Sequence, residues 1–128
     1  MDQGSLTAEL HRLLERYIDA PVECDGFTRL AHGALESAGI DHACMRGRVV
    51  SADGTARSPI HFWIELPDGR LIDYRARMWL GDFSSVPHGI FLPDEFAKWQ
   101  YQGEPIILQT LSPVIAELLL SFPALPSE

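Results

Sequence analysis

Leu6, Leu10, Leu13, Leu14, Tyr17 and Ile18 recur at three- and four-residue intervals, the spacing that lines one face of an α-helix with apolar side chains. Ser5 stands where a cap belongs and Pro21 lies just beyond the last apolar position, so a first amphipathic helix is expected. Phe27, Leu30, Ala31, Ala34, Leu35 and Ala38 repeat the pattern after Asp25, a candidate cap, and stop at Gly39, a residue suited to the left-handed position after a helix. Beyond Gly39 the period shortens to that of strands, over 43–51, 60–66 and 70–74, punctuated by Asp53-Gly54 and Pro67-Asp68-Gly69. Residues 81–93, rich in glycine, proline and serine, read as an ordered loop. A short helix from Asp94, a last strand over 106–109 and a final helix opened by Ser112-Pro113 and ended before Pro123 complete the pattern. Helices first, an antiparallel meander in the middle and a closing helix predict an α+β fold, with helices on a small antiparallel sheet.

The strand over 60–66 places Ile60, Phe62, Ile64 and Leu66 on one face and His61, Trp63 and Glu65 on the other. Leu66-Pro67-Asp68-Gly69-Arg70 has the chemistry of a type I turn followed by a left-handed glycine, the three-residue hairpin loop that pairs Leu66 with Arg70. Counting back from that pair sets Trp63 opposite Asp73 and His61 opposite Arg75, so His61 and Asp73 share a face as diagonal neighbours, about 7–8 Å apart at Cα. A two-residue loop would put them on opposite faces. An imidazole held by a carboxylate has a fixed tautomer and is stabilised when charged, as a general base for a thiol requires. A histidine on a strand is more often an ordinary half-buried residue; the shared face with Asp73 is what favours the functional reading.

Cys24 falls at the N-terminal edge of the second helix, where unpaired N–H groups and the helix dipole favour thiolate and offer donors to an oxyanion. A free cysteine is commonly a small buried hydrophobe, which suits Cys44 in mid-strand better than Cys24 between Glu23 and Asp25. Those two carboxylates oppose a thiolate unless they point away or His61 is charged.

A chain of 128 residues, 46% apolar and 22% charged, is the size of one domain over 1–128. It has no apolar run near the ~20 residues of a membrane span and no basic-then-apolar start, so a cytoplasmic protein with both cysteines as free thiols is expected. A net charge of −8 disfavours nucleic acid and anionic membranes as partners. Locally, residues 46–77 carry Arg46, Arg48, Arg57, Arg70, Arg75 and Arg77 against four acids. That excess reads first as a solvated strand surface and second as recognition of an anionic substrate. Trp63, Arg75 and His88, in the Pro87-His88-Gly89 loop, are candidate substrate contacts. His42 and Cys44 share a strand face, but no second close pair completes a tetrahedral site, so no metal and no cofactor are expected. Gly47, Gly54 and Gly69 read as isolated turn or bulge glycines, not a phosphate loop.

A helix opened by cysteine, then H-x-W-x-E at His61 to Glu65, then D-G-R-x-x-D at Asp68 to Asp73, all within 23–74, resembles the transglutaminase-like branch of the papain-like cysteine hydrolase superfamily. The stretch Glu23-Cys24-Asp25-Gly26-Phe27 is also similar to the aspartate-cysteine-serine-glycine-phenylalanine motif of NlpC-type cell-wall peptidases, with Asp25 in place of the serine. The resemblance implies a papain-like fold with Cys24 as nucleophile, His61 as base and Asp73 as the orienting acid. It also implies thioester chemistry on an amide of a peptide or protein substrate. Papain-like enzymes often place a glutamine before the cysteine to complete the oxyanion hole; none lies close here, leaving Tyr17 or the Cys24 N–H. The expected activity is that of a cysteine hydrolase, peptidase or deamidase; the alternatives are a non-catalytic binding or inhibitor module of the same fold and an arylamine-type acetyltransferase, the last requiring further domains.

Overall fold

A computed structural model describes residues 3–121. The first helix, α1 (Gln3–Ile18), and the second, α2 (Cys24–Ser37), bury the apolar faces expected of them. Leu10 and Leu14 meet Phe27, Ala31 and Leu35 over Ile64, Leu66, Ile72 and Tyr74 of the sheet. Helix α2 begins at Cys24, with Glu23 rather than Asp25 at the N-cap and no side-chain cap on its first N–H groups. Asp25 sits in the first turn, where a carboxylate meets the positive end of the helix dipole. Gly39 follows α2 at φ +70°.

Five strands, β1 (Ala43–Ser51), β2 (His61–Glu65), β3 (Leu71–Asp73), β4 (Gly89–Phe91) and β5 (Trp99–Ile106), form one antiparallel sheet in the order β4-β3-β2-β1-β5. The sheet departs from the sequence reading at both edges. Strand β4 lies inside the expected loop over 81–93 and pairs Asp73 with Gly89; three residues among glycine and proline are too few to show a period. The last strand starts at Trp99 and ends at Ile106, where the pattern had placed its beginning. Its Gly103 and Pro105 mask it in the sequence and are tolerated because it is an edge. The helix expected at Asp94 is a single 3-10 turn, Pro93–Phe96, and a further short helix, α3 (Arg77–Leu80), follows β3. Helix α4 (Pro113–Ser121) opens as expected, the Ser112 hydroxyl accepting from the Ile115 N–H at 3.3 Å.

The edges β4 and β5 are farthest apart in strand order, yet the Phe91 and Tyr101 rings lie 5.9 Å apart. The sheet therefore curls strongly, and its inner face holds a second core of Trp63, Leu71 and Phe91 with Met45, Phe96 and Tyr101. Gly47 belongs to this curl, not to a turn: it is mid-strand in β1, opposite Gly103 of β5. A Cβ on Gly47 would lie 2.0 Å from the Gln102 carbonyl oxygen, and one on Gly103 would lie 2.7 Å from the Trp63 ring. Only a pair without side chains lets the strands and the indole close up this far. Among the described residues no helix is long and apolar enough to cross a membrane.

Candidate active site

The β2–β3 hairpin closes as its turn residues require. The Leu66 N–H donates to the Arg70 carbonyl at 2.8 Å, the Gly69 N–H donates to the Leu66 carbonyl at 2.9 Å, and Gly69 adopts φ +92°. Ile64 pairs with Ile72 and Glu65 with Leu71, the register in which His61 and Asp73 share a face. His61 Nε2 lies 2.7 Å from Asp73 Oδ2, with both residues buried. Asp73 Oδ1 accepts from the N–H groups of Arg75 at 2.9 Å and Ala76 at 3.1 Å. The chain leaving β3 thus turns over the carboxylate and fixes its orientation.

A residue that the sequence did not point to completes this arrangement. The Tyr101 hydroxyl donates to Asp73 Oδ2 at 2.7 Å, on the same oxygen as the imidazole. Burial and the Asp73 charge raise the Tyr101 phenol well above its usual range, which keeps it a donor. The alternation of Trp99 and Tyr101 marks an inward face, but only the curl of the sheet brings β5 within reach of β3.

Cys24 is the first residue of α2 and is 6% exposed. Its thiol lies beside the imidazole and interacts with it, while His61 Nδ1 is buried without a well-aligned hydrogen bond among the described residues. Burial opposes charge on His61, but the hydrogen bond and charge of Asp73, with a smaller contribution from Cys24, raise its pKa to about 9. Asp73 thus favours the charged form of the ring.

The three expected substrate contacts divide. Arg75 is buried, and its guanidinium donates to the carbonyls of Tyr17, Ile18, Ala20, Val22 and Tyr74 at 2.8–3.2 Å, with its charge 4.8 Å from the Phe27 ring centroid. It ties the end of α1 and the loop before Cys24 to the strand that carries Asp73, so it positions the thiol and has no face for substrate. Trp63 is 2% exposed and stacks on His61 at 6.1 Å, forming a wall behind the imidazole. His88 is exposed, its ring edge-on to Tyr74 at 5.1 Å, and burial and the Arg77 charge hold its pKa below the usual histidine value. Of the three, it keeps a solvent-facing ring.

The six arginines over 46–77 divide between internal contacts and the surface, where Arg46 and Arg57 are exposed. Arg48 donates to the Ser58 carbonyl, Arg70 to Asp68 and Thr7, and Arg77 to the Val86 carbonyl. These three side chains, with Arg75, are engaged within the fold.

Both cysteines are free. Cys44 is buried, and burial together with the Glu36 charge pushes its thiol up to about 11. Beside it stand His42 and His32, from β1's N-terminal approach and from α2. No second close pair accompanies His42 and Cys44 along the sequence; their neighbour His32 comes from α2, ten residues before His42. Comparisons with protein-family models, with curated proteins and with solved structures give no significant match.

Proposed function

We propose that this chain is a cysteine-dependent acyl-transfer enzyme of the papain-like, transglutaminase-like kind, acting as a hydrolase or deamidase on amides of peptides or proteins. The observation that carries the reading is the buried 2.7 Å contact between His61 and Asp73 beside a cysteine at the start of α2. In the proposed reaction the Cys24 thiolate attacks the amide carbonyl carbon. The oxyanion draws on uncapped N–H groups in the first turn of α2. The His61 imidazolium passes its proton to the leaving nitrogen as the C–N bond breaks, leaving a Cys24 thioester and an amine or ammonia. Neutral His61 then takes a proton from water, hydroxide attacks the thioester, and the carboxylic acid departs as the imidazolium–thiolate pair is restored. Asp73 stays ionised throughout and holds Nε2–H, so that Nδ1 faces the thiol.

Iodoacetamide labelling and a substrate screen test this directly. Cys24 should be alkylated at neutral pH well before Cys44, whose thiol is pushed up to about 11 by burial and so stays un-ionised at that pH. His61→Ala should slow the Cys24 reaction about 10-fold or more. Acid-quenched mixtures with glutamine-containing proteins and peptides should show a mass adduct on Cys24, absent in Cys24→Ser. The 6% exposure of Cys24 favours the second reading, a binding or inhibitor module of the same fold. Equal or no alkylation of Cys24, with no adduct, ammonia or cleavage in a broad screen, would leave that reading standing.

A further inference from the structure

His42 and Cys44 alternate along the same edge of the chain entering β1. Cys44 is paired with Ile64, whose side chain belongs to the core beneath the helices, so this pair faces α2. There His32 stands eight residues, or two turns, after Cys24. His32 Nδ1 lies 2.7 Å from His42 Nε2, and a nitrogen of each ring and the Cys44 sulfur all fall within 4.8 Å of one another. The other nitrogen of His42, Nδ1, lies 2.8 Å from the Ile40 carbonyl oxygen. A carbonyl only accepts, so His42 Nδ1 carries the proton, and the His42 Nε2 lone pair faces the cluster, where it accepts from His32 Nδ1–H. The outer hydrogen bond to Ile40 is the support that metal-ligating histidines use.

Glu36 follows His32 by one turn on the same side of α2 and acts on the Cys44 thiol by its charge. His32 and Glu36 also line an open groove shared with Arg12, Leu111 and Pro113, so the helix side of the cluster borders solvent. Zinc with nitrogen and sulfur ligands at about 2.0–2.3 Å holds its donor atoms roughly 3.3–3.6 Å apart. The two histidines must separate by about 0.6 Å and no pair need close by more than about 1.2 Å, shifts within reach of side-chain rotation.

We propose that His32, His42 and Cys44 bind a thiophilic divalent cation of the zinc type, with Glu36 or water in the fourth position, at a site separate from the Cys24 centre. Two imidazoles and a thiolate exclude magnesium and calcium, which require oxygen ligands. Binding breaks the His32–His42 hydrogen bond, the His32 proton moving to the ring nitrogen that faces away from the cation, displaces the Cys44 proton to solvent and clips α2 to the start of β1, so the cation stabilises the fold and takes no part in the Cys24 reaction.

Cobalt(II) titration of the full chain, reduced and stripped with chelator, tests the site. One equivalent should produce thiolate-to-cobalt charge-transfer absorption together with tetrahedral d–d bands. Zinc should bleach both, and either metal should raise the melting temperature. Cys44→Ser should remove the charge-transfer band, His32→Ala and His42→Ala should each weaken binding about 10-fold or more, and Cys24→Ala should leave the bands and the metal-induced melting shift as in wild type. No band and no thermal shift in the wild-type chain at excess metal would overturn the proposal. Bands that survive Cys44→Ser, or that vanish with Cys24→Ala, would also overturn it. Should Cys44→Ser fail to fold, alkylation of the wild-type chain in mild denaturant decides the matter. Zinc should protect Cys44 and leave Cys24 reactive; no protection of Cys44 refutes the site.

Discussion

Asp73 Oδ2 receives both His61 Nε2 and the Tyr101 hydroxyl, while Oδ1 receives two backbone N–H groups. A carboxylate shared in this way divides its charge between an imidazolium and a phenol. Removing the phenol leaves Oδ2 to the ring alone, which strengthens the charged form of histidine. Tyr101→Phe should therefore move the His61 titration, followed by NMR of the ring protons, to higher pH. The variant should also lose about 1–3 kcal/mol of stability, because a hydrogen bond to a buried charge is gone. An unchanged or lowered titration would show that Tyr101 only fills space between β5 and β3.

At the scale of elements, the Cys24 thiol is placed by a join rather than by α2 itself. Residues 19–23 connect α1 to α2, and Arg75 gathers carbonyls from this connection and from the end of α1 onto one planar group. An ammonium cannot span that set, and a methyl leaves buried carbonyls without donors. Arg75→Ala should cost on the order of 3 kcal/mol in urea denaturation. Amide exchange should accelerate most in 19–24, and Arg75→Lys should recover only part of the loss. Protection of those amides equal to wild type would mean that the loop holds its shape without Arg75. Gly47 and Gly103 act at the same scale, letting β1 and β5 close around Trp63 and so bringing Tyr101 to Asp73.

For the whole molecule, the raised His61 pKa links stability to pH. The unfolded ring titrates near 6.5 and the folded ring near 9, so folding binds a proton between these values. The stabilisation is fully present below about pH 6.5 and is lost as pH rises through about 9. Cys44 adds to the alkaline loss above pH 9, since its thiol ionises near 9 when free and near 11 when folded. Urea midpoints measured from pH 6 to pH 10 should fall across this range. His61→Gln should flatten the decline between about 6.5 and 9, and Cys44→Ala should flatten only the part above pH 9. A wild-type midpoint that is level between pH 6.5 and 9 would argue against a charged His61 in the native state.

The amino-acid sequence by itself determined the two N-terminal helices, the hairpin register and hence the His61–Asp73 contact, because each depends on local chemistry. Periodicity selects a buried face, and Pro67-Asp68-Gly69 selects a turn whose length sets every pairing behind it. The tertiary structure alone decided what depends on closure between distant segments. Strands β4 and β5 are too short or too polar to stand out, and they pair only because β3 and β1 present open edges. Tyr101 joins Asp73 across 28 residues, Arg75 reaches the carbonyls of α1 across more than 50, and His32 meets His42 and Cys44 across a helix–strand interface. None of these has a local spacing to betray it. Side chains with ordinary surface chemistry, arginine above all, were committed to buried carbonyls only when packing removed the water that would otherwise have solvated them.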